Sequence, residues 1–510
     1  MHYIAEIPGF FCYFFENPFH FHRNYCFKIN NNRFCSKVNT ILFVLVKIQS
    51  DRGDLLFLLI SGMINRQTMN RRKVGQTVRT AGIIAEYNPF HRGHRYHIGE
   101  TRRQTGADYI IAVMSGCYVQ RGEPAVVDKY VRTRMALDGG ADLVLELPAV
   151  YATASAEYFA SAGVRLLDSL GCVDVLSFGS EYAGVDDFAP LVKILSEEPP
   201  IYQKKLREAL KSGKNFPLAR EKALRGCMET IYPADASVWE ILRTPNHILG
   251  LEYLKSLHRL RSGILPVAIK RQGAGYHDTE IGTEYPSASA IRRCLSEMDD
   301  RKGKAEERQA DKKTADWKKT LFTAMGEGVE LLCSCWSCGD TVGWKDLMPY
   351  LDYAVLMEEE RTEAFFGFDA NMSARFQKMY RPSVSFTELL SSLHTKRLTD
   401  AAWRRALLHR VLHIKKENFL QRAAEVPVPY ARVLGFKERA APLLKEIRRT
   451  SSIPLLQRPA QGKKFPDGSA AAKLFAADIR AAQLYEQVAA GHCGRVPVSE
   501  WVRQQVIVSP

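Results

Sequence analysis

The segment Ala81–His97, with the sequence AGIIAEYNPFHRGHRYH, constrains the fold of this 510-residue chain more than any other. Its apolar start, Gly82–Ala85, is typical of a strand buried in a parallel sheet. A turn follows, and a helical pattern begins at His91–His94. Strand, tight turn and helix N-terminus together form phosphate sites, because free N–H groups and the positive end of the helix dipole face the ligand. The segment therefore predicts an α/β fold with a nucleotide site at the end of its first strand.

The histidine pattern within this segment indicates which chemistry the site performs. His91 and His94 lie one helical turn apart, so both imidazoles can donate to the same phosphate chain. Gly93 between them allows a backbone to come close. Such an H-x-G-H pattern resembles the signature of nucleotidyltransferases, which act on the α-phosphate of a nucleoside triphosphate. A histidine-rich surface loop is the alternative, and the position directly after a buried strand favours the nucleotide site.

The region from residue 80 to about residue 298 alternates between strand and helix patterns. The predicted strands are Gly82–Ala85, Tyr109–Met114, Leu143–Leu147, Val173–Phe178 and Leu265–Ile269. Helices are predicted between them, for example at Val127–Leu137 and Ala154–Leu170. This alternation is typical of a parallel sheet that is covered on both faces. The ligand is expected at the carboxyl ends of the strands.

Composition shifts divide the rest of the chain. Residues 299–319 are almost wholly charged or small, which predicts an exposed linker. Beyond them the strand signal weakens, and Ala401–Leu412 and Ala440–Ile447 have amphipathic helical patterns. The predicted fold class is α/β, with a Rossmann-like parallel-sheet nucleotidyltransferase domain at 80–298 and a mostly α-helical C-terminal domain at 320–510. We expect residues 1–79 to be an N-terminal extension, either an over-extended translation start or a disordered segment.

The charge distribution predicts a polyanionic partner for the C-terminal region. Residues 371–510 contain 24 Lys and Arg against 10 Asp and Glu, whereas the region 81–370 contains a small excess of acidic residues. A basic region beside a mildly acidic catalytic region is typical of nucleic-acid binding, with a solvated helical surface as the alternative. The expected phosphate contacts are Lys396, Arg397, Arg404 and Arg405.

The cysteine pattern and the lengths of the apolar runs indicate the cellular environment of the protein. The eleven cysteines are scattered and odd in number, which favours reduced thiols in a cytoplasmic protein. The triplet Cys333, Cys335 and Cys338 could hold a metal, but no second pair of ligands follows it, so we predict no metal site. The apolar runs at 41–46 and 55–60 are much shorter than the roughly 20 residues of a membrane span, so no membrane is expected.

Several separated stretches in one order carry a family resemblance that covers roughly residues 81 to 485. They are GIIAEYNPFHRGHRYHI, AVMSGCYVQRGEPAVVDKYVR, GADLVLELP, SAEYFASAGVRLL, LSFGSE, PNHILGLEY, IKRQGAGYHD, SASAIR, HTKRLTDAAWRRALLH and RVLGF. With these stretches the chain resembles the tRNA(Met) cytidine acetate ligases, a bacterial family of H-x-G-H nucleotidyltransferases. The resemblance implies that acetate is activated with ATP as acetyl-adenylate. The acetyl group then passes to N4 of the wobble cytidine of elongator tRNA(Met). ATP is expected to enter with Mg²⁺, and no stable protein partner is inferred.

The resemblance also assigns ATP contacts residue by residue. The strand-to-helix segment supplies Ile84, Ala85, Glu86, Asn88, Pro89, Phe90, Gly93 and His97. The glycine of FGSE is Gly179, the asparagine of PNHILG is Asn246, and the basic pair of IKRQG is Lys270 and Arg271, with Arg271 the family's contact. Asn246 is also expected to cap a helix, because asparagine is a favoured N-cap residue.

The expected catalytic residues stabilise charge on the transferring phosphoryl group. His91, His94 and Arg271 are assigned to the α-phosphate. Ser287, Ser289 and Arg292 resemble the second signature of the superfamily, which grips the β- and γ-phosphates, with simple helix capping as the alternative for the serines. Lys129 is expected near the acyl or cytidine pocket, with an exposed helix face as the alternative.

Three other functions compete with this interpretation. A small-molecule adenylyl- or cytidylyltransferase of the same superfamily has the same ATP site but does not explain the basic helical region. An RNA-binding protein with a degenerate nucleotide domain conflicts with the intact His91, His94 and Arg292. A class I aminoacyl-tRNA synthetase is weaker still, since only Asn371–Arg375 resembles its second signature.

Overall fold

The computed structural model divides the chain into two compact units, Met1–Thr77 and Val78–Pro510. It describes residues 24–28, 42–50, 53–59, 79–181, 184–231, 242, 244–272, 287–302, 321–326, 328–357, 361–418 and 428–509. In the first unit, strands β1 (Asn24–Lys28), β2 (Leu42–Ser50) and β3 (Gly53–Leu59) form an antiparallel sheet in that order. Most of the predicted linker at 299–319 lies outside the described residues, as does most of the predicted extension, so both remain predictions.

An eight-stranded mixed sheet forms the centre of the second unit. Its first five strands are β4 (Thr80–Ala85), β5 (Tyr109–Ser115), β8 (Leu143–Leu147), β9 (Val175–Ser180) and β10 (Leu265–Lys270). They are parallel and lie in the order β10-β9-β4-β5-β8. The short strands β6 (Tyr118–Val119) and β7 (Glu123–Pro124) form a separate hairpin after β5. This parallel core confirms the predicted Rossmann-like sheet.

The C-terminal region completes the same sheet. Strand β11 (Ala431–Lys437) pairs antiparallel with β8, and β12 (Leu455–Leu456) and β13 (Val506–Val508) pair parallel with β11. The sequence pattern missed these three strands, because β12 and β13 have only two and three residues, and Arg432 and Gly435 interrupt the apolar run of β11.

Helices cover both faces of the sheet. The first half contributes α1 (Arg92–Thr105), α2 (Lys129–Asp138), α3 (Ala149–Ala152), α4 (Ala156–Ser169), α5 (Ala189–Glu197), α6 (Pro200–Lys211), α7 (Phe216–Ile231), α8 (Pro245–Leu260) and α9 (Ala288–Lys302). The second half contributes α10 (Gly328–Cys338), α11 (Trp344–Met357), α12 (Ala370–Met379), α13 (Phe386–Leu393), α14 (Asp400–Val411), α15 (Ala441–Thr450) and α16 (Ala470–Cys493). The prediction of a mostly helical C-terminal region is confirmed.

Strand alternation explains how the core is divided. Ile83 and its neighbours on the same face pack with residues of α1, α2 and α9, whereas Ile84 faces a second cluster that includes α4 and α8. Both faces are buried, so the central strands are continuously apolar rather than alternating. This arrangement leaves the carboxyl ends of β4, β5, β9 and β10 along one edge, where the loops carry the polar motifs.

A buried network of charged side chains connects the C-terminus to the sheet. Lys129 on α2 lies 2.8 Å from a carboxylate oxygen of Glu146 on β8 and 2.7 Å from one of Glu500. Arg432 on β11 pairs with the same two carboxylates. All four residues are less than 5 % exposed. Burial alone would lower the pKa of Lys129, but the two carboxylates hold it above its usual range.

Candidate active site

A cavity of about 760 Å³ opens at the carboxyl ends of β4, β9 and β10. Its wall is formed by the start of α1, the loop after β5, the start of α9 and the first turns of α14. Most of the sequence-predicted site residues line it: Ile84, Ala85, Glu86, Asn88, His91, Gly93, His94, His97, Gly179, Asn246, Lys270, Arg271, Ser287, Ser289, Arg292, Arg397 and Arg405. The expected position of the ligand at this edge therefore corresponds to a real cavity.

The two signature histidines are held by backbone groups. His91 is the N-cap of α1, and its Nδ1 accepts a hydrogen bond from the Gly93 N–H at 3.0 Å. Nδ1 of His94 accepts one from the His91 N–H at 3.2 Å. A methyl group on Gly93 would lie 2.8 Å from the ring of His91, so a larger residue here would displace the ring that forms this cap. Because both Nδ1 atoms act as acceptors, each neutral ring carries its proton on Nε2 as a donor.

The electrostatics of the cavity keep these rings neutral. Burial, with help from Arg271 and Arg292, lowers the pKa of His91 to about 3. Burial and the neighbouring His91 ring also lower the pKa of His94 well below its usual value. Two neutral N–H donors beside the cationic Arg271 are suited to an anionic ligand. When such a ligand binds, charge-assisted hydrogen bonds form in a buried site.

The other residues of the signature segment support this pair. His97 Nε2 lies 2.9 Å from the Ser177 hydroxyl of β9, and burial lowers the pKa of His97 to about 4. Phe90 lies behind the wall of the cavity, where its ring contacts those of Tyr87 and His94. Pro89 is also buried and does not line the cavity, so Pro89 and Phe90 shape the turn rather than contact the ligand space.

Glu86 places a carboxylate inside the cavity wall. Its Oε1 accepts the Gln120 N–H at 2.9 Å, which joins the end of β4 to the loop after β5. Burial raises the pKa of Glu86, and the nearby Arg121 and Arg292 oppose that rise. Asn88 Oδ1 accepts the Val126 N–H at 2.8 Å, so Asn88 fixes the same loop.

A second cluster of donors faces the histidines from α9. Arg292 Nη1 donates to the Asn88 carbonyl at 2.7 Å and its guanidinium pairs with Glu123 at 3.1 Å. Arg121 donates to Ser289 Oγ at 2.9 Å. Ser287 Oγ accepts the Ala290 N–H at 3.1 Å, so this serine does cap the helix while it also lines the cavity. Arg121 was not among the predicted site residues, although it lies in one of the stretches that carry the family resemblance.

The strand ends of β9 and β10 supply the remaining predicted contacts. Gly179 lies within β9, beside the stem of Arg271, and both line the cavity. The prediction that Asn246 caps its helix is wrong, because α8 has Thr244 as its N-cap and begins at Pro245. Asn246 instead donates its amide to Glu181 Oε1 at 2.6 Å.

The structure sorts the predicted basic contacts into three groups. The prediction that Lys129 lies near the acyl or cytidine pocket is wrong, and so is the alternative of an exposed helix face. Its side chain is fully buried within the ion-pair network and reaches neither the cavity nor the surface. Arg405 lines the cavity, which was not expected, while Arg404 stacks over the ring of Phe386. Lys396 and Arg397 are exposed, and Arg397 also borders the cavity.

Arg405 reaches the cavity because α14 packs closely on the loop after β5. Gly122 in this loop has a φ of +76°, and a methyl group there would lie 2.4 Å from the backbone nitrogen of Arg405. Arg405 Nη1 is 3.5 Å from the Gln120 carbonyl, and burial lowers the pKa of its guanidinium to about 10. Among the described residues Arg405 has no carboxylate partner, so it is suited to an anionic ligand.

Sequence reasoning missed a set of charged residues at the α7 and α8 side of the cavity. Glu252 pairs with Arg220 at 2.6 Å and with Lys255 at 2.5 Å, and Lys255 also pairs with Glu157 at 2.8 Å. All four line the cavity. Each charge in this set has a partner of opposite sign. The sequence could not indicate the set, because these residues come together only when the fold brings their helices into contact.

The cysteine triplet lies on helix α10, away from this cavity. Among the residues that the structure describes, no group of three or more His, Cys, Asp or Glu is arranged to hold a metal ion. Within the same described part of the chain, no helix is long and apolar enough to cross a membrane.

The mostly parallel sheet and the H-x-G-H cavity define the class of this protein. The family model described as HIGH Nucleotidyl Transferase matches residues 78–495. The chain is thus a nucleotidyltransferase of the HIGH type.

More specific relatives identify the family. The tRNA(Met) cytidine acetate ligase of Thermoanaerobacter sp. (strain X514) is 39% identical over 405 residues, which are 79% of this chain and 94% of the relative. That of Acetivibrio thermocellus is 36% identical over 382 residues, 74% of this chain and 88% of the relative. The chain belongs to the tRNA(Met) cytidine acetate ligase family.

Solved structures agree with this assignment. The crystal structure of Thermotoga maritima TmcAL in its apo form has a TM-score of 0.76 and 31% identity, and the match covers 85% of this chain and all of that one. The same protein bound with alpha-thio ATP has a TM-score of 0.72 and 30% identity, over the same shares.

Proposed function

We propose that this protein activates acetate with ATP and transfers the acetyl group to N4 of the wobble cytidine of elongator tRNA(Met). The proposal rests on one observation: two neutral imidazole donors, His91 and His94, line the same cavity as the Arg121–Ser289–Arg292 cluster. This arrangement supports the binding of one phosphate chain at two points. The names of the relatives supply the substrate class.

In the first step, an acetate oxygen attacks the α-phosphorus and pyrophosphate leaves. Negative charge increases on the α-phosphoryl oxygens, where the Nε2–H groups of His91 and His94 and the guanidinium of Arg271 can donate. Arg292 and the serines at the start of α9 hold the departing pyrophosphate. Fixed donors in a buried site stabilise such charge more effectively than water, because they need no reorganisation.

In the second step, N4 of the cytidine attacks the acetyl carbonyl carbon. The carbon–oxygen bond to AMP breaks, an N–C bond forms, and N4 loses a proton. Acetyl-adenylate is sensitive to water, so a recessed cavity protects it. The cytidine must leave its stacked position in the anticodon loop to reach that depth.

The proposal extends to the partners of the reaction. Mg²⁺ would enter with the ATP phosphates and reduce their charge, and Glu86 fits the one or two carboxylates that such a site usually provides. A tRNA substrate implies a cytoplasmic location. The exposed basic residues of 371–510, including Lys396 and Arg397, remain the proposed contacts to the tRNA backbone.

Two assays separate the half-reactions. Exchange of radioactive pyrophosphate into ATP, without tRNA, tests acetate against formate, propionate and pantoate at equal concentrations. Acetyl transfer from labelled acetate to purified elongator tRNA(Met) then tests the second step, with initiator tRNA as the control. The proposal requires acetate-dependent exchange and selective labelling of the elongator tRNA.

A small-molecule nucleotidyltransferase remains the second candidate. It predicts exchange with a different carboxylate and no labelling of RNA. The position of α14 favours the ligase, because a helix from the basic C-terminal region contributes Arg405 and Ala402 to the wall of the ATP cavity.

A further inference from the structure

The helical hairpin of α6 and α7 carries basic residues that the C-terminal prediction did not include. Residues 200–222 contain seven Lys and Arg against two Glu, although the region 81–370 as a whole has an acidic excess. Lys204, Arg207, Lys211 and Lys214 are all exposed. A local basic cluster within an acidic region indicates a position where an anion approaches.

The same hairpin exposes an aromatic ring at the mouth of the active-site cavity. Phe216 begins α7, is 54% exposed and lines the cavity. Asn215 and Pro217, on either side of it, also line the cavity. Single exposed apolar residues are common, but this ring borders the candidate reaction site and lies on a hairpin that carries several exposed cations.

The hairpin lies directly beside the basic turn that precedes α14. A methyl group placed on Gly213 would lie 3.6 Å from Nη2 of Arg397, so the two surfaces are in contact range. Arg397 and Phe216 border the same cavity. Arg397 therefore borders the cavity from the C-terminal region, and the hairpin with its exposed lysines borders it from the nucleotidyltransferase half through Asn215, Phe216 and Pro217.

We propose that the α6–α7 hairpin and the turn at Lys396–Arg397 form one anticodon-loop site, in which the ring of Phe216 stacks on a base next to the wobble cytidine. This inference rests on the proposed function. A cytidine that swings into the cavity leaves its neighbour without a stacking partner, and an exposed ring at the mouth replaces that partner. The lysines of the hairpin neutralise backbone phosphates on one side of the loop, and Arg397 does so on the other.

Substitutions at Phe216 test the stacking contact. Removal of a ring that stacks on one base weakens binding by about 5-fold to 150-fold, so Phe216→Ala should raise the KM for tRNA in acetyl transfer by that factor. Phe216→Tyr keeps a ring and should stay near the wild type, whereas Phe216→Leu keeps only apolar volume and should resemble the alanine variant. Leu218→Ala is the matched control, because Leu218 is 52% exposed on the same helix and does not line the cavity.

Direct binding and salt dependence test the basic part of the site. Fluorescence anisotropy with a labelled anticodon stem–loop measures Kd without any chemistry. Lys211→Gln combined with Lys214→Gln should weaken this binding and reduce the slope of log K against log salt by about 0.7 for each lost contact to single-stranded RNA.

The outcomes separate this inference from the proposed function. Equal tRNA KM and Kd values for Phe216→Ala and the wild type would overturn the stacking contact. A raised KM for ATP in tRNA-free pyrophosphate exchange, with tRNA binding unchanged, would assign the ring to adenine and also overturn it. Failure of the wild type to form acetyl-adenylate would refute the proposed function, while the binding assay would still decide the role of the hairpin.

Discussion

Replacement of Lys129 by Met tests whether this residue stabilises the fold or contacts RNA. Lys129 is fully buried and lies within 2.8 Å of two carboxylates, those of Glu146 and Glu500. Met has similar length and no charge, so the substitution leaves two buried carboxylates with Arg432 as their cation. Removal of one partner from a buried ion pair typically costs about 3–5 kcal/mol. We expect the free energy of unfolding of Lys129→Met to decrease by that amount.

Urea denaturation followed by far-UV circular dichroism measures the change as a lower midpoint concentration. Lys445→Met is the control, because Lys445 is exposed on α15. Lys129→Met with Glu500→Gln removes one charge of each sign and should regain part of the lost stability, which a double-mutant cycle quantifies. A stable Lys129→Met variant with a raised KM for tRNA would refute this reasoning and return Lys129 to the RNA-binding surface.

Four further predictions concern the cavity and the extension. His94→Ala should reduce acetate-dependent pyrophosphate exchange by about 10² or more, because one donor to the α-phosphate is lost; exchange at the wild-type rate would exclude His94 from the mechanism. A chain that starts at Met69 should keep both half-reactions, since β4 begins only at Thr80; loss of ATP binding would show that the extension is structural. Arg405→Ala should raise the KM for ATP or acetate in tRNA-free exchange by about 10-fold to 100-fold, since charged hydrogen bonds contribute about 1.5–3 kcal/mol, whereas Arg404→Ala should affect at most the KM for tRNA; the reverse pattern would contradict the cavity position of Arg405. The folded-state pKa of His91, about 3, lies below its unfolded value, so the unfolded chain binds protons first and the free energy of unfolding should fall as pH drops below 6.5. Its contribution is about 1 kcal/mol between pH 7 and pH 5.5, and urea midpoints of the wild type that do not change over that interval would contradict it.

Local patterns were sufficient for the parallel core. The predicted strand at Leu143–Leu147 has the observed bounds, and that at Tyr109–Met114 ends one residue early. Each is an apolar run of strand length that turn residues bound on both sides, and these two signals together identify it as a strand. The H-x-G-H segment was located correctly for the same reason, since its strand, turn and helix are contiguous in sequence.

Three features depend on contacts between residues far apart in the sequence, and for that reason they were predicted wrongly or not at all. The sequence of α2 does not indicate that Lys129 is buried, because the carboxylates that compensate it come from β8 and from residue 500. The pairing of strand β11 is equally hidden, since its partner β8 lies far earlier in the sequence. The cavity position of Arg405 depends on the close contact between α14 and Gly122, which no periodicity reveals.

The late completion of the sheet has a consequence for synthesis of the protein on the ribosome. Strand β8 is translated early, but its outer edge stays unpaired until β11 emerges, which takes about 15–60 s at 5–20 residues per second. During that interval the nascent chain presents an open hydrogen-bonding edge, which can pair wrongly with another chain. Chains released before residue 431 would therefore expose this edge permanently, and we expect them to aggregate rather than persist as a trimmed catalytic domain.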